Sequence, residues 1–185
     1  MFKELLSRLA NLLDNRNIPY MIIGGQAVLL YGEPRLTRDI DITLGIDINR
    51  LDEVFEIVRV VPLRALPENI SDFISRTMVL PCLHEESGIR VDFIFSFTPY
   101  EQMAIRRARK VKILGQDVSF CSPEDLIIHK VFAGRPRDIE DVRKVLLKNT
   151  GIDINYIERW LREFDLSMEG NFLNTFREIL KNIRG

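Results

Sequence analysis

Asp39-Ile40-Asp41-Ile42 follows a Gly24-Gly25 pair and precedes an isolated acid, Asp92, in the apolar run Val91-Asp92-Phe93-Ile94-Phe95. Side chains alternate across an extended strand, so Asp39 and Asp41 share one face while Ile40 and Ile42 take the other. Two like charges side by side oppose folding unless a cation removes the conflict, and magnesium prefers oxygen ligands of this kind. An alternation of acid and isoleucine is, by itself, also the pattern of a half-exposed strand. Asp92 carries more weight, because an ionised carboxylate in an apolar run is costly without a partner. Arg90 could supply that partner as a structural salt bridge. Three carboxylates from two strands suit a two-metal site, with ions roughly 4 Å apart on the attacking and leaving oxygens of an in-line displacement. The pattern points to phosphoryl or nucleotidyl transfer.

Gly24 and Gly25 meet a second need of such chemistry. Glycines let backbone amides approach a phosphate, and a following helix directs its positive end there. The same pair also serves as a plain strand-to-helix turn. Neither G-x-x-x-x-G-K-[ST] nor G-x-G-x-x-G occurs, so a P-loop or a Rossmann phosphate site lacks its fingerprint.

With 185 residues, 46% of them hydrophobic, the chain can bury a sizeable core as one domain with a helical extension. Its 26 basic and 27 acidic residues leave a net charge of -1, so a nucleic-acid partner must be held by a local patch. Cys82 and Cys121 are too few for a disulfide framework and read as buried, reduced thiols, which fits a cytoplasmic setting. Lys3, Glu4 and Arg8 interrupt the leucines of the first helix as no signal peptide would allow, and no apolar stretch approaches the ~20 residues of a membrane span.

Phe2, Leu5, Leu6, Leu9, Leu12 and Leu13 recur at helical spacing and predict an opening amphipathic helix. Tyr20 to Ile23 reads as a buried strand, Gln26 to Tyr31 as a short helix, Gly32-Glu33-Pro34 as a turn and Asp39 to Leu44 as the next strand. A helix over 51–60 follows, then a candidate linker over 62–72. Thr77 to Leu83 and Ile89 to Phe95, separated by His84-Glu85-Glu86-Ser87-Gly88, should pair antiparallel. A helix is expected from Thr98-Pro99 to near Lys110, and two short strands around Gly115-Gln116-Asp117. Ser122-Pro123-Glu124-Asp125 combines a capping serine, a proline at the first helical position and an acid three residues on. Helices over 137–147, 153–164 and 170–183 complete the chain, the last with an apolar stripe that would favour a dimer if exposed.

Gly24-Gly25-Gln26-Ala27-Val28, then Arg35-Leu36-Thr37-Arg38-Asp39-Ile40-Asp41, resembles the first motif of the nucleotidyltransferase superfamily, in particular its AbiEii-like branch of toxin-type and uncharacterised members. Asp92 in Arg90-Val91-Asp92-Phe93 looks like the third carboxylate. Lys130, at the end of Ser122 to Lys130, and Asp138, in Arg135-Pro136-Arg137-Asp138, resemble the branch's lysine and aspartate motifs. The resemblance covers roughly residues 20 to 145. It implies an α+β fold: a nucleotidyltransferase-like mixed sheet flanked by helices over 1–121, with a helical region over 122–185 packed on it. It further implies that Asp39 and Asp41 bind both of two Mg2+ ions and that Asp92 completes the catalytic-metal site, with Mn2+ as the alternative. Gly24, Gly25, Gln26 and Thr37 would meet the nucleotide. Lys130 would contact the triphosphate, and Asp138 would support the site by orienting Lys130. Many members carry serine where Gln26 stands, so a Gln amide or Thr37 has to replace that hydroxyl.

The expected activity is transfer of a nucleoside monophosphate from an NTP to a hydroxyl of RNA, protein or a small molecule, with an antitoxin as a candidate partner. The alternatives are a non-catalytic nucleotide-binding module and a two-metal phosphohydrolase. Arg106, Arg107, Arg109, Lys110 and Lys112 could hold an RNA backbone or form a solvated face. His84 with Cys82 lacks the second pair a zinc site needs, and His129 reads as a helix residue, not a general base.

Overall fold

The computed structural model describes residues 1–33, 37–96 and 98–184. In chain order the elements are α1 (Phe2–Asn15), β1 (Tyr20–Ile23), α2 (Gly24–Tyr31), β2 (Asp39–Leu44), α3 (Leu51–Val60), β3 (Leu63–Ala65), α4 (Ile70–Thr77), β4 (Val79–His84), β5 (Ile89–Phe95), α5 (Pro99–Arg106), β6 (Arg109–Ile113), β7 (Gln116–Phe120), α6 (Pro123–Ala133), α7 (Pro136–Lys148), α8 (Ile154–Met168) and α9 (Phe172–Arg184). They form two compact units, one of residues 1–26 and 36–121, the other of residues 27–35 and 122–185. The fold class is α+β with a mixed sheet, as the sequence implies.

The first unit is built on a seven-stranded sheet in the order β3-β4-β5-β2-β1-β7-β6. Strands β2 and β5 run parallel, as do β1 and β7, and the remaining neighbours are antiparallel. Alternation explains the placement of the core. Ile40, Ile42 and Leu44 on β2 and Val91, Phe93 and Phe95 on β5 share one face and are buried. Helix α1 contributes its leucine stripe, with Leu6, Leu9 and Leu13 buried, and contacts β6, β7 and α3. The opposite face of β2 grades from exposed Asp39 through half-buried Asp41 to buried Thr43, so it opens only at the acidic end.

In the second unit α6 is central. Leu126, Ile127, Ile128 and Val131 are buried around most of its circumference, and it contacts α7, α8 and α9. Its start follows the predicted signal: the Ser122 hydroxyl accepts from the Asp125 amide at 3.1 Å, with Pro123 in the first turn. The acid at the third position does not reach back to the backbone as a capping box would. Asp125 is fully buried and instead accepts from the Ser122 hydroxyl at 2.6 Å and the Tyr156 hydroxyl at 2.8 Å.

Three expectations change. The stretch over 62–72 is not a linker, since it contains β3 and the start of α4. Helix α4 is capped by the Asn69 side chain, which accepts from the Asp72 amide at 3.2 Å, and only Ile74 is buried on it, too weak an apolar signal to stand out. The helix begun at Thr98 ends at Arg106, and Arg109, Lys110 and Lys112 belong to the edge strand β6. Lysines on an exposed edge discourage pairing with another chain. Helix α2 begins at Gly24, so the glycine pair is its first turn and not a separate loop. The end of the Gly32-Glu33-Pro34 turn and Arg35-Leu36 lie outside the described residues. Among the described residues no helix is long and apolar enough to cross a membrane.

Replacing Ser122 with Ala removes both a cap acceptor and a donor to a buried carboxylate. Urea unfolding of Ser122→Ala should show a loss of roughly 2 kcal/mol with an unchanged m-value.

Candidate active site

Pairing between β2 and β5 sets the geometry. Asp39 lies opposite Arg90 and Asp41 opposite Asp92, so on adjacent strands about 4.8 Å apart all four side chains emerge from one face. Ile23, the last residue of β1, pairs with Asp41 on the other side. The chain then turns into α2 through Gly24, whose φ of +66° favours glycine. A Cβ on Gly24 would stand 2.0 Å from Asp41 Oδ2, and one on Gly25 would stand 2.6 Å from Thr37 Oγ1. The glycine pair therefore lets the start of α2 close onto a carboxylate and a hydroxyl. The positive end of a helix favours an acid in that position.

Arg90 Nε donates to Asp92 Oδ1 at 2.8 Å. The Asp92 hydrogen bond, opposed by burial and reinforced by the charges of Asp92, Asp39 and Asp41, raises the Arg90 pKa. Its guanidinium thus lies in the field of all three acids. Among the described residues no group of three or more His, Cys, Asp or Glu side chains is gathered at metal-binding distance. The donor chemistry nevertheless suits a hard divalent ion, since its carboxylates share one face, and the missing Cβ of Gly24 is what admits the Asp41 carboxylate there. Gln26 is buried, and its amide donates to the Asp39 carbonyl oxygen at 3.3 Å, tying the first turn of α2 to β2. Thr37 remains partly exposed.

The second unit holds Lys130 and Asp138. Lys130 is 6% exposed, and its Nζ stands 2.6 Å from Asp138 Oδ1 and 3.0 Å from Asp141 Oδ2. Arg135 Nε donates to Asp138 Oδ2 at 2.6 Å. Burial pushes the Asp138 carboxyl up, but hydrogen bonds from Arg135 and Lys130 outweigh it and hold the pKa below the usual value. Asp141 is the residue that the sequence reading missed. Its signal was its spacing, three residues after Asp138 on α7, which puts both acids on one helix face. Cys82 is buried, and burial together with the Asp92 charge pushes its thiol up to about 12, so it stays protonated. His84 Nδ1 pairs with the Ser87 hydroxyl at 2.7 Å.

Residues 1–177 match a family model described as a nucleotidyltransferase of unknown function (DUF6036). The chain belongs to this family. It is a nucleotidyltransferase whose acceptor the family leaves open. No curated protein matches it in sequence. Several solved structures share the fold. The antibiotic-resistance factor ANT(2'')-Ia aligns with a TM-score of 0.62 at 18% identity, over 90% of this chain and 94% of that one. A nucleotidyltransferase-like antigen from Paracoccidioides brasiliensis aligns at 0.56 and 19%, over 94% and 92%. The lincosamide antibiotic adenylyltransferase LnuA, bound to lincomycin, aligns at 0.56 and 16%, over 79% and 97%.

Two outcomes follow for this nucleotidyltransferase. In Gly24→Ala the left-handed backbone is strained and the new methyl displaces the Asp41 carboxylate. Chemical denaturation should show a loss of about 1–2 kcal/mol, and nucleotidyl transfer should fall with it. His129 Nε2 is enclosed, and burial plus the neighbouring Lys130 charge push the imidazole pKa down to about 4. Between about 6.5 and 4 the unfolded chain binds a proton that the folded chain refuses, so stability rises with pH across this window and is lost as pH falls. The contribution reaches at most about 3 kcal/mol. Urea midpoints measured from pH 7 to pH 4.5 should fall less steeply in His129→Leu than in the parent.

Proposed function

We propose that the enzyme transfers a nucleoside monophosphate from an NTP to a hydroxyl acceptor, releasing pyrophosphate, in a magnesium-dependent reaction in which Asp39, Asp41 and Asp92 hold the metal. The observation that carries this reading is the direct opposition of Asp41 and Asp92 on neighbouring parallel strands, beside the first turn of α2. A pair of acids directly opposite one another destabilises a sheet, so its construction is best explained by a cation.

Magnesium, when bound, would lower the pKa of the acceptor hydroxyl and offset the charge that grows as pyrophosphate leaves. The chain's own residues have distinct tasks. Asp39, the most exposed of the three acids, and Asp41 supply oxygens from β2, while Asp92 supplies them from β5. Gly24 and Gly25 give the nucleotide access to the amides of the first turn of α2, and Thr37 offers a hydroxyl beside them. Gln26 holds that turn to β2. Lys130 serves the triphosphate as a positive charge, and Asp138 orients its ammonium.

A small molecule is the favoured acceptor class. One neighbour of this fold, ANT(2'')-Ia, is solved with adenylyl-2''-tobramycin, at 21% identity and with 97% of its chain covered. RNA or protein acceptors, and the toxin role with an antitoxin partner that they would accompany, are read out by the same assay. Incubation with labelled NTPs, magnesium and fractionated small molecules, RNA or protein should label one fraction. Asp39→Ala should lower that labelling more than about a hundredfold. Retained labelling in the variant would refute the assigned role, and nucleotide binding without transfer to any fraction would favour a non-catalytic module.

A further inference from the structure

We propose that Arg90 is a resident counter-ion of the acidic cluster, exchanged for the divalent cation when metal binds. The inference rests on the reading of Asp39, Asp41 and Asp92 as metal ligands and adds a role for a residue outside that set. The β2 and β5 register puts Arg90 opposite Asp39 and two residues from Asp92, on the face shared by all three acids. It engages the cluster through one hydrogen bond, Nε to Asp92 Oδ1 at 2.8 Å.

Hydrogen-bond geometry, and not exposure, separates this pair from the two-pronged bridges, for Arg177 and Glu158 are 52% and 22% exposed. The Arg90 side chain is 48% exposed and that of Asp92 only 18%, so the carboxylate is held by the fold while the guanidinium can swing into water. The two-pronged pairs elsewhere differ. Arg50 meets Glu53 through Nε and Nη2 at 2.6 and 2.8 Å, and Arg177 meets Glu158 through the same two nitrogens at 2.8 Å each. Among the described residues the Arg90 guanidinium makes a single hydrogen bond, to an acid that a metal would also claim. The Nε bond occupies a lone pair of Asp92 Oδ1 on the side of the cluster, and the guanidinium charge repels an arriving cation, so metal entry weakens this bond and moves the guanidinium outward. The Nε proton stays on arginine throughout, so the exchange changes no protonation state. Arg90 acts through Asp92 and is a positioning residue.

The test is binding of Mn2+ alone, without nucleotide, followed by calorimetry and by electron paramagnetic resonance, in the parent, Asp92→Asn, Arg90→Gln and Arg90→Lys. Thermal unfolding of each is recorded with and without Mn2+. Arg90→Gln should bind Mn2+ about five- to tenfold more tightly, because a competitor and a repelling charge are both gone. It should also unfold at a lower temperature than the parent when metal-free, and regain that difference with Mn2+. Arg90→Lys, which keeps the charge, should stay near the parent in both respects. Equal or weaker Mn2+ binding by Arg90→Gln, while Asp92→Asn loses affinity, overturns the exchange and leaves the metal site standing. Failure of the parent to bind Mn2+, or binding that Asp92→Asn leaves unchanged, overturns the metal reading and the exchange with it.

Discussion

The parallel pairing of β2 with β5 is the constraint on which the first unit's chemistry depends. It sets Asp41 against Asp92, and it can do so because the other face of the same two strands is fully apolar. A slip of β2 by one residue would turn Ile40 and Ile42 out of the core together with Asp39 and Asp41 out of the site. The register is thus enforced by burial of six large side chains on one face and inherited by the charges on the other. The apolar core chooses the position of the carboxylates.

The acids are accommodated by what surrounds them. Gly24 supplies the space into which the Asp41 carboxylate projects, and the first turn of α2 brings its positive end there. The Gln26 amide fastens that turn to the Asp39 carbonyl. In the second unit the same problem, a charge removed from water, has a closed solution. Lys130 is enclosed by two carboxylates of α7, and Arg135 caps the outer oxygen of Asp138. Removing one member of such a group leaves a buried charge without its partner, which costs far more than the group contributes net.

Much of this was legible in the sequence. Strands β1, β2 and β5 announced themselves by alternation and by apolar runs, and α6 by its serine and proline. Asp92 stood out because an ionised carboxylate in an apolar run needs a partner. The illegible parts have physical causes. Strand β3 has three residues and α4 buries one, so neither carries enough periodic signal to be seen against a run of polar residues. The boundary between α5 and β6 was hidden because arginine and lysine suit a helix end and an edge strand equally well. Asp141 and Tyr156 gain their meaning only from partners eleven and thirty-one residues away in the chain, Lys130 and Asp125.

On the proposed metal site, a salt bridge and a metal ligand are not competing descriptions of Asp92. A carboxylate inside an apolar strand needs positive charge in every state of the protein, including any state without a bound ion. A fixed, fully buried partner would satisfy that need and leave no place for an ion. A half-exposed arginine on the same strand satisfies it reversibly, since its guanidinium gains water as it loses the acid. Under the proposed exchange, the side chain that most resembles a structural bridge is for this reason the one compatible with cation entry.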